Sequence, residues 1–400
     1  MAVADLDAIR YEPGAAQDRA IELADCPGLV GVECAGVGRE ARDAVMSRRT
    51  TFLKAMLSAL HYSGADAMIA PLTRGIGAIF MLHQVQPETP SSFEPNRILK
   101  VTPEFLEQAI TQVIASGFEI VSLDEAHFRL IEGNYGKPFV CFTFDDGYRD
   151  NLEYAYPIFK RHNLPFAIYV PTEYADGYGD LWWLALEKAI VQVEALSVKL
   201  GGVQRRLRCA TPAAKDAAFQ TIYWWLRSIG EADARAFVRE LCDSVGFLPD
   251  DLCADLIMNW DEIRQLAADP LVTIGAHTRR HYALAKLTLA EARAEMVESV
   301  RRLEREIGKP GLHFSYPYGD QASAGPREFD LAKELGLKTG VTTRRGLIHP
   351  RHAAELTALP RVSLNGEYQK KRYVKVLLSG APFAFFNVVS RAANNASPVT

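Results

Sequence analysis

From residue 76 onward, short apolar and β-branched runs alternate with stretches of helical periodicity, which restricts the chain to βα units built into a parallel sheet or barrel. Eight runs qualify as strands: 76–82, 118–123, 138–144, 166–170, 272–276, 313–316, 338–342 and 358–363. Several, such as PFVCFTF and FAIYV, are almost continuously apolar, as parallel strands covered on both faces must be. Between 175 and 260 the strand pattern gives way to helical spacing. LWWLALEKAIVQVEAL sets Trp182, Leu186, Ile190 and Val193 on one face, and FQTIYWWLRSIG and ADARAFVRELCDSVG continue in that style. The expectation is a helical subdomain inserted after a strand's C-terminal end, over the face where parallel barrels assemble their sites.

The whole chain then divides into a loosely ordered leader (1–45), a helical segment (46–75, with a helix at 50–60), two barrel parts (76–175 and 260–365), the insertion (176–259) and a tail (366–400). With 45 Lys+Arg against 49 Asp+Glu, the chain lacks the positive field that draws proteins to phosphate backbones, so nucleic acid is not an expected partner. Six scattered cysteines without a CxxC pair read as reduced thiols. The first 25 residues carry acids throughout and no apolar run, so a cytoplasmic location is expected. The rival is export from a start at Met46, where Arg48 and Arg49 precede TFLKAMLSAL. No run of about 18 apolar residues exists to span a membrane. The basic-then-apolar stretches 48–60 and 370–389 are compatible with peripheral membrane contact, against the alternative of helices packed on the body. Nothing in the sequence sets the oligomeric state.

Polar residues with catalytic potential recur where the candidate strands end. His83 follows the first, Asp145 and Asp146 the third, His277 the fifth and Tyr318 the sixth, while Arg361 lies in the last. In a parallel barrel these ends converge on one mouth. Adjacent carboxylates at a buried strand end repel each other unless a cation or proton compensates. His277 and His281 stand four apart, and one helical turn would bring both imidazoles to one face. Two histidines and one carboxylate make a three-ligand site with room for a water, whose pKa a divalent ion would bring to about 7. Separately, Asp-Asp-Gly is an ordinary turn and HxxxH an ordinary pair of histidines; together at one mouth they are a site.

At these residues the sequence resembles the polysaccharide deacetylases of carbohydrate esterase family 4, the NodB-homology family. The motifs are TFDDGY at Thr143 to Tyr148, HTRRH at His277 to His281 and YPYG at Tyr316 to Gly319, within a resemblance covering 76–363 less the insertion. The resemblance implies a distorted, TIM-like (β/α) barrel of seven or eight strands. It also implies a metal-dependent hydrolase that removes N-acetyl groups from an amino-sugar-containing saccharide. Asp145 would be the general base; Asp146, His277 and His281 would hold a divalent metal, zinc foremost, with cobalt or nickel as alternatives. The Tyr318 N–H would help hold the oxyanion, Thr278 would steady the histidine loop, and Thr278, Tyr148 and Tyr316 would line the substrate site. Two departures stand out. The last strand, ALPRVSL, has no histidine to act as acid, whereas FMLHQV resembles the leading strand of circularly permuted members and offers His83 for the role, with His349 and His352 in reserve. Ser315 and Tyr316 occupy the place of the family's base-orienting arginine, which Arg361 could supply from across the mouth. The same chemistry would serve another amide or a ureide; a non-catalytic sugar-binding protein is the remaining alternative. His61, His127, His162 and His313 read as structural, and the pairs Trp182-Trp183 and Trp224-Trp225 as core or sugar-stacking surfaces.

Overall fold

In the computed structural model, residues 39–249 and 251–385 are described, with side chains from residue 50. Most of the expected leader therefore lies outside the described residues, as do Cys26, Cys34 and the side chains of Met46, Arg48 and Arg49. The helix expected at 50–60 begins earlier: α1 spans Arg39–Tyr62, and α2 (Ala65–Thr73) leads into the first barrel strand.

All eight expected strands form, and they pair in parallel. They are β1 (Gly77–Leu82), β4 (Glu119–Ile120), β5 (Phe139–Phe144), β6 (Phe166–Val170), β9 (Val272–Ala276), β10 (His313–Ser315), β11 (Thr339–Arg345) and β12 (Leu359–Ser363). The short pair β2 (Gln84–Val85) and β3 (Lys100–Val101) lies outside the main sheet. The sheet runs β1-β12-β11-β10-β9-β6-β5-β4, and β1 also pairs with β5 along its whole length, closing seven strands into a barrel. β4 joins only the start of β5.

Period-two alternation divides each strand between two surroundings. Phe80, Phe142, Phe144, Ile168, Ile274 and Val362 pack outward in the main core, with α3 (Pro103–Ala115), α5 (Tyr156–His162), α11 (Trp260–Ala267), α12 (Leu289–Ile307) and α13 (Pro326–Glu334). Ile79, Cys141, Tyr169, Val341 and Leu359 form a second cluster, joined by Leu123 and Leu130 of α4 (Leu123–Glu132). Further along β5 and β12 stand Thr143, Arg361 and, just past the end of β5, Asp145: the second surrounding turns polar toward the C-terminal strand ends.

The described part of the tail, 366–385, packs on the N-terminal helix. Its helix α14 (Lys371–Leu378) buries Tyr373 and Val376 against Leu57 of α1, and Lys54 pairs with Glu367 at 3.0 Å. The two basic-apolar segments thus pack on one another, and no helix among the described residues is long and apolar enough to cross a membrane.

The insertion departs from the helical expectation. After α6 (Thr172–Ala175), α7 covers only Trp182–Val191, leaving Val193 beyond its end, and an antiparallel hairpin follows, β7 (Ala195–Leu200) with β8 (Val203–Arg208). Leu196, Val198 and Leu200 are buried while Ser197 and Lys199 face solvent. Gly201 and Gly202, at φ 57° and 83°, make the two-residue turn that only left-handed backbone closes without splaying the strands. Helices α8 (Pro212–Ser228), α9 (Glu231–Ser244) and α10 (Asp251–Leu256) complete a separate core that includes Trp182, Trp183, Leu186, Ile222 and Val238, and that reaches Tyr148 and Tyr174 of the barrel.

Candidate active site

Strand register sets the mouth. Leu82 of β1 lies opposite Phe144 of β5, and the Asp145 N–H bonds the Leu82 carbonyl at 2.9 Å, so His83 and Asp145 leave neighbouring strands side by side. Val170 lies opposite Ala276 and Ala276 opposite Phe314, which brings the histidine loop and the SYPYG segment to the same level.

Asp146, His277 and His281 converge. The Asp146 Oδ1 lies 3.5 Å from His277 Nε2 and 3.3 Å from His281 Nε2, with all three residues buried. They are the one group of three or more His, Cys, Asp or Glu side chains, among the described residues, whose ligand atoms could share an ion. His277 Nδ1 lies 2.6 Å from the Ser315 carbonyl; a carbonyl only accepts, so Nδ1 carries a proton and Nε2 is the ring atom presented to Asp146. Burial holds the His281 imidazole below its usual pKa, outweighing the opposing effect of Asp146, and so favours the neutral ring a metal requires. Burial opposes ionisation of Asp146, but the flanking His281 and His277, with His83, hold its carboxyl well below the usual range. Its Oδ1 nonetheless has no hydrogen-bond partner. A buried carboxylate oxygen without a partner between two imidazole nitrogens fits a divalent cation.

The histidines do not meet through a helical turn. The segment is a loop in which Thr278 (φ 61°) and His281 (φ 58°) are left-handed, and the Thr278 hydroxyl accepts from the His281 N–H at 2.9 Å. Of the five non-glycine residues with positive φ among the described residues, four belong to this site: Asp146, Thr278, His281 and Tyr318. Such backbone costs about 1–3 kcal/mol per residue and persists only where surrounding contacts enforce it. Those contacts were not legible in the sequence. Glu295 of α12 accepts from the Arg279 and Arg280 N–H groups, and Arg235 of α9 donates to the His281 carbonyl at 3.1 Å while paired with Glu231. The i,i+4 spacing of Glu231 and Arg235 was visible, but its reach to the histidine loop was not.

Arg361 lies where the sequence suggested it could. Its side chain has no solvent exposure and grips Asp145 with two bonds, 2.8 and 2.7 Å, while also donating to the Thr342 carbonyl and to the Thr143 and Ser315 hydroxyls. Burial raises the Asp145 carboxyl, but the Arg361 charge and bonds, with His277 and His83, outweigh it and leave the pKa below the ordinary value. His83 is half-buried, and its carbonyl is held by the Asn151 side chain at 2.8 Å.

Tyr318 stands over the cluster with its ring centroid 4.9 Å from that of His281, and burial raises its hydroxyl to about 12. Gly319 follows at φ 59°, where a Cβ would lie 2.6 Å from the Thr343 N. Three expected substrate contacts are buried and engaged with the protein. Tyr316 is fully buried, its hydroxyl bonded to the Thr357 carbonyl and its ring against Phe314 and Phe329, so it is a core residue. Tyr148 is buried beneath the insertion, its hydroxyl accepting from Trp183. Thr278 is buried and engaged within its loop. The reserve histidines are at the wrong end: His349 follows Ile348, which bridges to Gly77 at the start of β1, and His352 bonds back to His349.

Residues 132–340, just over half of the chain, match the family model described as polysaccharide deacetylase. The chain belongs to the polysaccharide deacetylase family, a class of enzymes that remove acetyl groups from saccharides. Both His83 and Arg361 fall outside the matched residues. Among solved structures the chain is similar to the Streptococcus pyogenes deacetylase PplD in complex with acetate, at 18% identity over 72% of this chain and 92% of that one, with a TM-score of 0.47. It is also similar to IcaB from Ammonifex degensii, at 16% identity over 76% of this chain and 97% of that one (TM-score 0.47). A de-N-acetylase from Aggregatibacter actinomycetemcomitans gives 15% identity, 73% and 96% coverage and a TM-score of 0.47. No curated protein sequence matches the chain.

Proposed function

We propose that the chain is a metal-dependent hydrolase that removes N-acetyl groups from an amino-sugar-containing saccharide, with the catalytic barrel formed by 76–175 and 260–365. The observation that carries this reading is the buried Asp146, His277 and His281 cluster beside an Asp145 that Arg361 holds ionised. A divalent ion held by the cluster, zinc foremost, would supply Lewis acidity to the acetyl carbonyl and acidify a water.

The rest falls to the chain's own residues. Asp145 takes a proton from the attacking water, and Arg361 keeps both carboxylate oxygens oriented for it. The water oxygen bonds to the acetyl carbon, and the Tyr318 N–H helps stabilise the resulting oxyanion. His83 then gives a proton to the amine nitrogen as the C–N bond breaks, yielding acetate and the free amino sugar.

This division of labour is testable on two leaving groups. An amine must be protonated to depart, whereas 4-nitrophenolate need not be. His83→Gln is expected to lower kcat for amide substrates about 10²–10⁴-fold while sparing hydrolysis of 4-nitrophenyl acetate and metal content. Equal loss on both substrates, or no loss on the amide, would remove His83 from the acid role.

A further inference from the structure

We propose that Gln220, Tyr223, Trp224 and Arg227, on one face of α8 in the insertion, form a saccharide subsite leading outward from the metal-ligand cluster. The subsite would engage a sugar unit beyond the one that loses its acetyl group. The inference rests on the deacetylase reading and deepens it.

Positions 220, 223, 224 and 227 are three and four apart, so one helix surface carries them. A continuous series of rings ties that surface to the site. The Tyr318 ring stands against His281, and its hydroxyl accepts from Trp182 Nε1 at 2.9 Å. Trp182 lies 5.2 Å from Tyr223, and Tyr223 lies 5.3 Å from Trp224. Arg227 closes the inner end, its guanidinium 3.6 Å over the Tyr318 ring.

The other tryptophans of the insertion are packed inward. Trp182 and Trp183 are buried and Trp225 lies against Phe237, whereas Trp224 is 56% exposed. A large aromatic held in solvent at the end of a ring series is a surface for the apolar C–H face of a sugar. Polar groups flank it, as hydroxyl recognition requires. Gln220 accepts from the Trp224 indole at 3.2 Å, which sets its amide beside that ring. Arg227 donates through Nη2 to Asp320 and Ser323, while its buried Nη1 has no partner in the protein.

The test uses the full chain, Trp224→Ala and the stacking-competent Trp224→Phe, with N-acetylglucosamine oligomers of one to six units in β-1,4 and β-1,6 linkage. Binding to the metal-free protein is followed by calorimetry, and acetate release after metal is restored. Affinity is expected to climb about tenfold or more from one unit to four, with the climb lost in Trp224→Ala and kept in Trp224→Phe. Equal affinity at every length, or a climb that survives Trp224→Ala, overturns the subsite. Acetate release from the single sugar without length dependence keeps the deacetylase and removes the subsite. Length-dependent binding through Trp224 without acetate release keeps the subsite and removes the deacetylase, and neither binding nor release removes both.

Discussion

Replacing Arg361 by methionine is expected to destabilise the protein by about 3–5 kcal/mol, the cost of leaving one member of a buried ion pair without its partner. The guanidinium is fully enclosed and donates to Asp145 at two points as well as to Thr143, Ser315 and Thr342, so its removal strands the Asp145 carboxylate in the barrel. The pH dependence should change sign. With Arg361 present, the Asp145 carboxyl lies below its ordinary value, so its contribution to stability is complete above about pH 4 and is lost as pH falls through the lower folded value. Without Arg361, burial dominates and raises the carboxyl, so stability should decline as pH rises from about 4. Denaturant unfolding from pH 3 to 8 reads both effects. A loss below about 1 kcal/mol, within the range of an exposed ion pair, would contradict the buried geometry.

Asp145→Asn is expected to lower turnover about 10²–10⁴-fold while metal binding stays within a few-fold of the intact protein. Asp145 does not belong to the three-residue cluster, and each of its carboxylate oxygens keeps a lone pair beside its bond to Arg361. His277→Ala should instead lose metal and turnover together, since it removes one of three ligands. Metal content by mass spectrometry alongside acetate release separates the two variants. Full activity in Asp145→Asn would end its assignment as the base.

The barrel was legible because buried parallel strands write themselves as uninterrupted apolar runs, and PFVCFTF and VTIGA announce both a strand and the polar residues at its end. The β7–β8 hairpin was hidden by the helical spacing of the preceding LWWLALEKAI, although Gly201-Gly202 between alternating residues was a turn signal in plain sight. The histidine pair was identified by spacing but for a wrong local reason, since left-handed backbone at Thr278 and His281, braced by Glu295 and Arg235, does the work assigned to a helical turn. Tyr316 shows the converse. A motif residue adjoining the site can face the core, and only the strand's register reveals which way it points. Arg361 could be suggested from a vacancy in the motif, but its bidentate grip on Asp145 depends on a pairing across the barrel that no local pattern encodes.

The central claim, that Asp146, His277 and His281 hold a catalytic divalent ion, is tested most directly by stripping the protein of metal and reloading it with zinc, cobalt or nickel. Bound metal is counted at each stage, and acetate release is followed on a panel of N-acetylated saccharides. The account predicts one ion per chain, no acetate without it and release restored on reloading. Uptake of no metal by the intact protein, or acetate release undiminished after stripping, would contradict it.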